Sequence, residues 1–492
     1  MHSIHLSAEN FIKALQGKVV LDENGKQHKF LYKRLLLDKT EYGNVVVIDQ
    51  RVIVSEEVII KEDKLFGKKL IFQHPILIQG GEFQQRFSIK GGEFQQWFFI
   101  LGGEFQDSFR ISGGEFQGWF RIDGGEFQDS FLISGGDFQS LFLISGGDFQ
   151  SSFRISGGDF QSLFLISGGD LKTLELLNKD SIINQLVFDN KELLTCKIII
   201  QAGSKINQII FRVGIASSGV VYINSVAVQQ FIFEDFANEG VLEITQVQGM
   251  SYIKNTLPAP FRDLERPTPV HLFKKQLLLL RSNFDNVVFK GVDFTSFDQI
   301  VIEDSKVNAI STVRSHFPIA ENRLGNLLTE DQQLKQDANE MSEVYHQLYL
   351  AMQKQGNRKW ELDYYAEYLS WEQKSTKKWG DKFPLALHYW STNYGRRWYQ
   401  ALWWVMGLGI ILYFGYCWSL GGVEVGVRYL SWKSFWFHLN HYFQFLFPIR
   451  KFGFIEYTHL TPLATLLDIL WRIAQGYLIY QMIAAFRRFG RK

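Results

Sequence analysis

Residues 80–167 read GGEFQQRFSIK GGEFQQWFFIL GGEFQDSFRIS GGEFQGWFRID GGEFQDSFLIS GGDFQSLFLIS GGDFQSSFRIS GGDFQSLFLIS, and a ninth unit begins with GGDL at Gly168. Repetition at a fixed period is typical of a solenoid, in which each repeat packs on its neighbours. The eighth and tenth positions, such as Phe87 and Ile89, are apolar and alternate with variable residues, which predicts a strand with one buried face. The Gly-Gly pair predicts a turn, and in a helix it would cost about 2 kcal/mol per unit.

The seventh position carries a second period. After Arg86 it alternates a large apolar residue with serine, so one coil is predicted to be two units, or 22 residues. The expected fold class is a β-solenoid of the right-handed parallel β-helix type, flattened with two long sides. The large residues of one outer face are Trp97, Trp119, Leu141 and Leu163. Such a face indicates contact with a partner or a second copy, burial under another part of the chain, or simple exposure.

Two polar positions recur in every full unit. The third is acidic, from Glu82 to Asp159, and the fifth is glutamine, from Gln84 to Gln161. Stacked carboxylates are compatible with calcium, but the period differs from that of calcium-binding nonapeptides, which favours a solvated edge. The stacked glutamines predict a ladder of amide hydrogen bonds between coils.

The flanks continue the strand-rich pattern less regularly, and the solenoid is expected to span residues 1–318. In SNFDNVVFKGVDFTSFDQIVIEDS, three phenylalanines lie five residues apart, and Asn or Asp precedes two of them. They are Phe284, Phe289 and Phe294. This spacing resembles the pentapeptide-repeat β-helix over about three units. Residues 257–270 hold four prolines and predict a loop or an excursion from the solenoid.

Residues 319–396 are predicted to be a helical connector. Residues 326–354 and 358–378 have the pattern of two long amphipathic helices, separated by a Gln-Gly-Asn break. The stretch YHQLYLAMQKQGNRKWELDYYAEYLSWEQ is similar to the segment that joins pentapeptide-repeat domains to a two-helix membrane domain in many bacterial proteins. The matching residues are Tyr345, Leu348, Gly356, Asn357, Tyr365, Ala366 and Glu372. The sequence YGRRW, starting at Tyr394, is similar to the entry into the first membrane helix.

Residues 397–492 are predicted to be a membrane domain. The first span, about 398–420, has an uncharged 20-residue core that would form about 30 Å of helix, one hydrocarbon thickness. The second span, about 463–486, includes Asp468 and Arg472, which lie four residues apart and can pair. The pair is expected to face a bundle interior or an aqueous path; a surface helix with a salt bridge is the alternative.

The flanks of the two spans predict their orientation. Basic residues are concentrated before the first span and after the second, from Lys374 to Arg397 and from Arg487 to Lys492. The connecting segment has fewer, and the N-terminus lacks the pattern of an export signal. The positive-inside rule therefore predicts a multi-pass protein of the cytoplasmic membrane with both termini in the cytoplasm.

The segment between the spans is predicted to be a re-entrant or interfacial helix at about residues 432–448. The plan of helix, short helix and helix is similar to the ion-channel-like domain of pentapeptide-repeat membrane proteins and, more distantly, to potassium-channel pores. The following FPIRKFGFIEY differs from a potassium filter because it has Arg450 and Lys451. The pore candidates here are His438, His441 and Gln444, and the two histidines are alternatively interfacial aromatics.

Composition limits the function. The net charge of +1 argues against bulk nucleic-acid binding, and two cysteines exclude a disulfide framework. Enzyme and cofactor signatures are absent from the sequence. We expect a channel-like membrane effector, a homotetramer by analogy, whose solenoid binds a protein or small ligand and controls oligomerisation or gating. The alternatives are a non-conducting membrane-anchored scaffold and a membrane-damaging effector of a bacterial defence or toxin system.

Overall fold

The computed structural model describes residues 3–37, 40–49, 51–61, 69–177, 182–190, 192, 194–201, 205–250, 274–319, 323–328, 334–420, 432–451, 455 and 461–490. The chain divides into two compact units, Met1–Asp337 and Ala338–Lys492. The first is a parallel β-solenoid and the second is helical. The proline-rich stretch 257–270 and the C-terminal residues 491–492 lie outside the described residues.

One continuous sheet contains nearly all strands of the first unit. Its strands are Ile4–His5, Leu31–Leu37, Thr40–Ile48, Val52–Val54, Val58–Ile60, Ile71–Phe72, Ile76–Ile78, Glu82–Phe83, Phe87–Phe94, Phe98–Ile100, Glu104–Phe105, Phe109–Phe116, Phe120–Phe127, Phe131–Phe138, Phe142–Ile166, Asp170–Leu176, Ile182–Phe188, Lys197–Ile200, Lys205–Phe211, Val220–Asn224, Ala227–Glu234, Val241–Thr245, Gln248–Gly249, Gln276–Leu280, Val288–Lys290, Gln299–Glu303, Ser311–Val313 and Leu324–Gly325. Two short antiparallel pairs lie outside it: Val20–Leu21 with Gln27–His28, and Leu327–Leu328 with Leu334–Lys335.

The strand register confirms the predicted coil. Phe87 pairs with Phe109 and Phe98 pairs with Phe120, so adjacent coils are about 22 residues apart rather than 11. The spacing persists beyond the repeats with small changes, except that Gln230 bonds to Gln276, 46 residues later. Residues 251–273 fall inside that longer interval.

The core of the repeat array is made of columns of phenylalanine rings. In one column Phe83, Phe105 and Phe127 stack with ring centroids 4.7 and 4.8 Å apart and nearly parallel planes. The neighbouring column, which includes Phe87, meets the first edge-to-face at 5.5 Å. Both geometries are favourable for aromatic quadrupoles, and every coil buries these rings again. The fourth and eighth positions of the repeat therefore fill the interior.

The N-terminal end of the array is covered by the first helix. Helix α1, Ala8–Leu15, begins at Ser7, whose hydroxyl accepts a hydrogen bond from the Asn10 amide. Its buried Phe11 packs edge-on against Phe83 at 5.4 Å and Phe87 at 6.0 Å. Phe11 therefore covers the first rings of these two columns, as a terminal cap must.

The later coils contain the segment that resembles pentapeptide repeats. Phe284, Phe289 and Phe294 are all buried, and Phe294 stacks on Phe317 with centroids 4.2 Å apart. Parallel pairing continues through Leu324–Gly325, which bonds to the strand Gln299–Glu303.

The second unit consists of six described helices. They are α2 Ala338–Gln355, α3 Arg358–Ser375, α4 Trp379–Thr392, α5 Trp398–Ser419, α6 Trp432–Phe445 and α7 Pro462–Gly490. The break between α2 and α3 falls at the predicted place, where Gly356 adopts a φ of +68°. The predicted start of α2 at residue 326 was wrong, because Leu324–Gly325 and Leu327–Leu328 form strands and the helix begins at Ala338. Helix α4 has no counterpart among the predicted helices.

Candidate functional sites

The helices of the second unit expose apolar side chains to an unusual extent. Among the described residues, α5 is the helix that is long and apolar enough to cross a membrane, and only 33% of its most apolar window is buried. A core helix of a soluble protein would be mostly buried. Exposed large apolar residues on α4, α5 and α7 include Trp379, Phe383, Trp390, Trp403, Ile411, Phe414, Trp418, Leu466, Leu470, Ile473, Ile483 and Phe486.

Helix α7 contains the second predicted span. It buries polar side chains and exposes apolar ones. Its composition is less apolar than that of α5, and it does not meet the same criterion for a membrane span. The polar residues Asp468 and Gln475 are buried, whereas Leu470, Ile473 and Ile483 are exposed. An amphipathic helix of a water-soluble protein turns its apolar face inward. In α7 the polar groups face the packed interior instead.

Helices α5, α6 and α7 form one packed cluster of this unit. Trp471 is fully buried, stacks on Phe445 with centroids 5.8 Å apart, and donates its indole N–H to the Phe445 carbonyl at 3.0 Å. Gly409 of α5 faces the same ring, and a Cβ there would lie 3.2 Å from Trp471 and 2.9 Å from Leu446. Tyr442 of α6 donates to the Met406 carbonyl at 2.7 Å. The short helix is therefore fixed between the two long ones.

A network of three charged side chains lies at the end of α6. The Asp468 carboxylate is 3% exposed and accepts hydrogen bonds from Arg472 at 3.0 Å and from Arg450. Arg450 is 5% exposed, and its guanidinium also donates to the carbonyls of Phe445, at 2.6 Å, and Phe447, at 2.9 Å. Arg472 in turn donates to the Arg450 carbonyl at 2.8 Å.

The observed network is larger than the predicted pair of Asp468 and Arg472. Asp468 and Arg472 pair as expected, but Arg450 is a third member. In the sequence, Arg450 is a departure from a channel filter, with no apparent link to Asp468. Because Arg450 lies 18 positions before its partner, in an irregular segment, periodicity offered no signal for the contact. The network holds the end of α6 against α7 through both ionic and carbonyl contacts.

The other pore candidates lie on α6. His438 is half-buried, and its Nδ1 lies 3.2 Å from the Tyr413 hydroxyl of α5. His441 is also half-buried, and its Nδ1 lies 2.8 Å from the Phe437 carbonyl. Gln444 is exposed. The role of these three side chains in a pore stays a prediction.

The YGRRW segment connects α4 to the start of α5 and contacts α3. Arg396 donates to Glu367 at 2.9 Å and to the Asp363 carbonyl at 2.7 Å, both on α3. Tyr394 adopts a φ of +54° and its hydroxyl donates to Gln373. Burial raises the pKa of Tyr394 to about 12, so this hydroxyl keeps its proton for that bond at neutral pH.

His388 of α4 lies next to this joint. Its ring meets the Tyr394 ring edge-on, with centroids 5.7 Å apart. Burial, together with the positive charge of Arg488, lowers the pKa of His388 to about 4. The imidazole is therefore neutral at physiological pH.

The predicted outer face of the solenoid, which begins with Trp97 and Trp119, is partly covered by the chain itself. Backbone hydrogen bonds place Trp97, Trp119 and Leu141 in successive coils, since the Phe98 amide donates to the Trp119 carbonyl and the Phe120 amide to that of Leu141. The antiparallel hairpin of Leu31–Leu37 and Thr40–Ile48 covers the first of them. Trp97 packs on Tyr42 of that hairpin at 5.1 Å, whereas Trp119 is 50% exposed.

The rest of this column changes chemistry beyond the repeats. Leu141 and Leu163 are half-buried, and Leu163 pairs with Gln185 of the next coil. Further along the column, Gln208 donates to Gln230 at 2.5 Å, Gln230 to Gln276 at 2.6 Å, and Gln276 to Gln299 at 2.7 Å. An amide ladder therefore forms outside the repeats.

Inside the repeats, the glutamines bond to the acidic positions instead of to one another. Glu82 accepts from Gln84 in its own coil at 2.8 Å and from Gln106 in the next coil at 3.0 Å. Glu93 accepts from Gln95 and Gln117 in the same way. The expected amide ladder is thus replaced here by a glutamine–carboxylate ladder, because a charged acceptor forms the stronger hydrogen bond. In the described part of the chain, no group of three or more His, Cys, Asp or Glu side chains is arranged to hold a metal ion.

Comparisons with known proteins give one match. The family model for the sperm-activating peptide C-terminal domain matches residues 74–174. The match coincides with the repeat array and covers less than half of the chain, so it assigns no function to the whole. No curated protein and no solved structure matches the chain. The class that the observations define is therefore a β-solenoid followed by an apolar helical unit.

Proposed function

We propose that this chain is a non-enzymatic, membrane-anchored and channel-like effector. Its solenoid binds a protein or small ligand and thereby controls the oligomeric or gating state of the helical unit. The observation that carries the proposal is the apolar outer face of α4, α5 and α7, which is combined with buried polar groups. Exposed apolar side chains are stable in contact with lipid, whereas their exposure to water costs free energy.

The second span is part of this proposal. Helix α7 has 29 residues and is therefore about 43 Å long, more than the hydrocarbon thickness. Its composition is made less apolar by Asp468 and Arg472, but these charges pair inside the unit rather than face outward. Their burial supports a two-span arrangement in which α6 is re-entrant or interfacial.

Membrane insertion is tested with a charge on the exposed face. Ile411 of α5 is 68% exposed, so Ile411→Lys would be harmless if this face met water. In lipid a lysine at this depth costs about 2.5–3.5 kcal/mol. We expect the parent chain to resist alkaline carbonate extraction and Ile411→Lys to become extractable. Val313→Lys on the solenoid is the matched control and should behave as the parent; extraction of the parent chain would refute the proposal.

Ion flux separates the channel from a scaffold. The non-conducting scaffold is the second candidate, because Asp468 is held between two arginines in the packed interior of the unit. Purified full-length chain in vesicles loaded with an ion-sensitive dye should carry flux if the channel-like function holds. Insertion without flux, in the presence and absence of a solenoid ligand, would favour the scaffold.

A further inference from the structure

Three arginines line one cavity at the end of α7. The cavity has a volume of about 380 Å³ and is bounded by Arg358, Tyr480, Ile483, Ala484, Arg487 and Arg488. Arg358 comes from the first turn of α3, and the two other arginines come from the last turns of α7. Tyr480 and Ile483 are exposed and lie one to two turns before the arginines. The cavity therefore has a cationic end beside an apolar side.

The positive charge of the cavity is only partly compensated. Arg358 donates to Glu361 at 2.8 and 2.9 Å and to the Arg488 carbonyl at 3.0 Å. The Arg488 guanidinium lies 4.5 Å from the centre of the Tyr365 ring, and its buried Nη1 has no hydrogen-bond partner within the described residues. In that part of the chain, no carboxylate forms a salt bridge with Arg487 or Arg488. Within the described residues, Arg487 and Arg488 therefore have no counterion.

The ligand must satisfy both ends of the cavity. Guanidinium groups bind phosphate oxygens through paired, charge-assisted hydrogen bonds. The C-terminus of a helix carries a partial negative charge, so an anion at this place depends on the arginines themselves. An inorganic phosphate would satisfy the arginines and leave Tyr480 and Ile483 facing water.

We propose that this cavity binds an anionic phospholipid. Its phosphate would contact Arg487 and Arg488, and the first part of its acyl chain would lie along Tyr480 and Ile483. This inference rests on the proposed membrane location, in which Arg487 and Arg488 follow the apolar part of α7 at the level of the headgroups. Basic pockets at the cytoplasmic ends of membrane helices are suited to anionic headgroups.

The test compares lipids on the full-length chain in nanodiscs. Nanodiscs of equal phosphatidylglycerol and phosphatidylcholine are prepared, and the lipids retained by the released protein are measured by native mass spectrometry. We expect the parent chain to retain phosphatidylglycerol in preference to phosphatidylcholine. Arg487→Gln should reduce this preference about fivefold, because one headgroup contact is lost. Arg487 is exposed and forms no hydrogen bond or salt bridge with the described part of the chain, so this variant should fold as the parent does.

The controls separate the possible failures. Arg397→Gln removes a basic residue near the start of α5, outside the cavity, and should keep the parent's preference. Equal retention of both lipids by the parent, or an equal loss in Arg397→Gln, would overturn the lipid site while leaving membrane insertion intact. Displacement of the lipid by millimolar inorganic phosphate would identify a free-phosphate site and also overturn it. Failure of the parent to enter nanodiscs would instead contradict the proposed function.

Discussion

At the residue scale, the two glycines of each repeat have different physical roles. The second, such as Gly136, adopts a φ of +111°, which side-chain-bearing residues rarely adopt. The first, such as Gly135, is required by space, because a Cβ there would lie 2.6 Å from the Ser112 carbonyl oxygen of the preceding coil. The turn is therefore fixed both by backbone conformation and by close stacking of coils.

Replacement of Gly135 by alanine should destabilise the solenoid. The new Cβ would force the backbone of two coils apart, and overpacking of this kind costs about 1–3 kcal/mol. The neighbouring Ser134 is exposed, and Ser134→Ala should change the free energy of unfolding by no more than about 0.5 kcal/mol. Denaturant unfolding followed by circular dichroism measures both. Equal stability of the two variants would show that the coils can separate at little cost.

The ion network gives a second prediction for single residues. Asp468 lies between Arg450 and Arg472 in this network, so Asp468→Asn removes the carboxylate that the buried Arg450 and the partly buried Arg472 share. Removing one partner of a buried ion pair costs about 3–5 kcal/mol. We expect Asp468→Asn to lower the melting temperature of the detergent-solubilised protein most, followed by Arg450→Gln and then Arg472→Gln. Arg472 ranks last because its side chain is 23% exposed against 5% for Arg450.

The third member also changes the expected result of a rescue experiment. On the sequence alone, replacing Asp468 and Arg472 together by leucine would remove a pair and restore a neutral helix. With Arg450 present, that double variant leaves a buried cation that has lost its Asp468 carboxylate. The triple variant that also carries Arg450→Leu should be more stable than the double one. A double variant as stable as the parent would contradict the network.

At the scale of elements, the N-terminal hairpin divides the aromatic face of the solenoid. Its residues Leu35, Leu37 and Tyr42 pack with Trp97 in one apolar cluster. The next coil presents Trp119 half-exposed on the same column. Burial under the same chain thus applies to the first member of the face, and contact with a partner or second copy stays a prediction for the others.

The two tryptophans should therefore respond differently to one substitution. Serine is a suitable replacement because it occupies this position in alternate repeats. Trp97→Ser should lower the free energy of unfolding by about 1–3 kcal/mol, less than for a fully buried aromatic, because Trp97 is half-buried. Trp119→Ser should alter stability by about 0.5 kcal/mol or less. Chemical denaturation compares the pair, and a larger effect at Trp119 would place the hairpin contact elsewhere.

At the scale of the whole molecule, the proposed orientation depends on charges that flank α5 and α7. Ten basic residues lie in the flanks 374–397 and 487–492, against four in the connecting segment. Arg450, one of the four, is engaged with Asp468 inside the unit. This leaves the connecting segment with still fewer free cations and strengthens the expected asymmetry.

A reporter fused after Lys492 tests this orientation. We expect an enzyme that is active only in the cytoplasm to be active in this fusion, because both ends of the chain should lie inside. A reporter inserted in the segment between α5 and α6 is the control and should give the opposite signal. A periplasmic C-terminus would contradict the two-span proposal and would be consistent with α5 alone crossing the membrane.

The sequence by itself determined the solenoid, its 22-residue coil and the break at Gly356. In a repeat array the neighbours of a residue lie one coil away in the chain. The repeat period in the sequence therefore predicts which residues pack together. The tertiary structure decided three features: the hairpin that covers Trp97, the strands that replace the first predicted helical turns, and the hydrogen bond between Arg450 and Asp468. Each of these features brings together non-repeating segments, and sequence periodicity does not predict that such segments lie close together. Burial by a distant segment also overrides local propensity, because strand pairing and a buried charge are stabilised only by the partner that folding supplies.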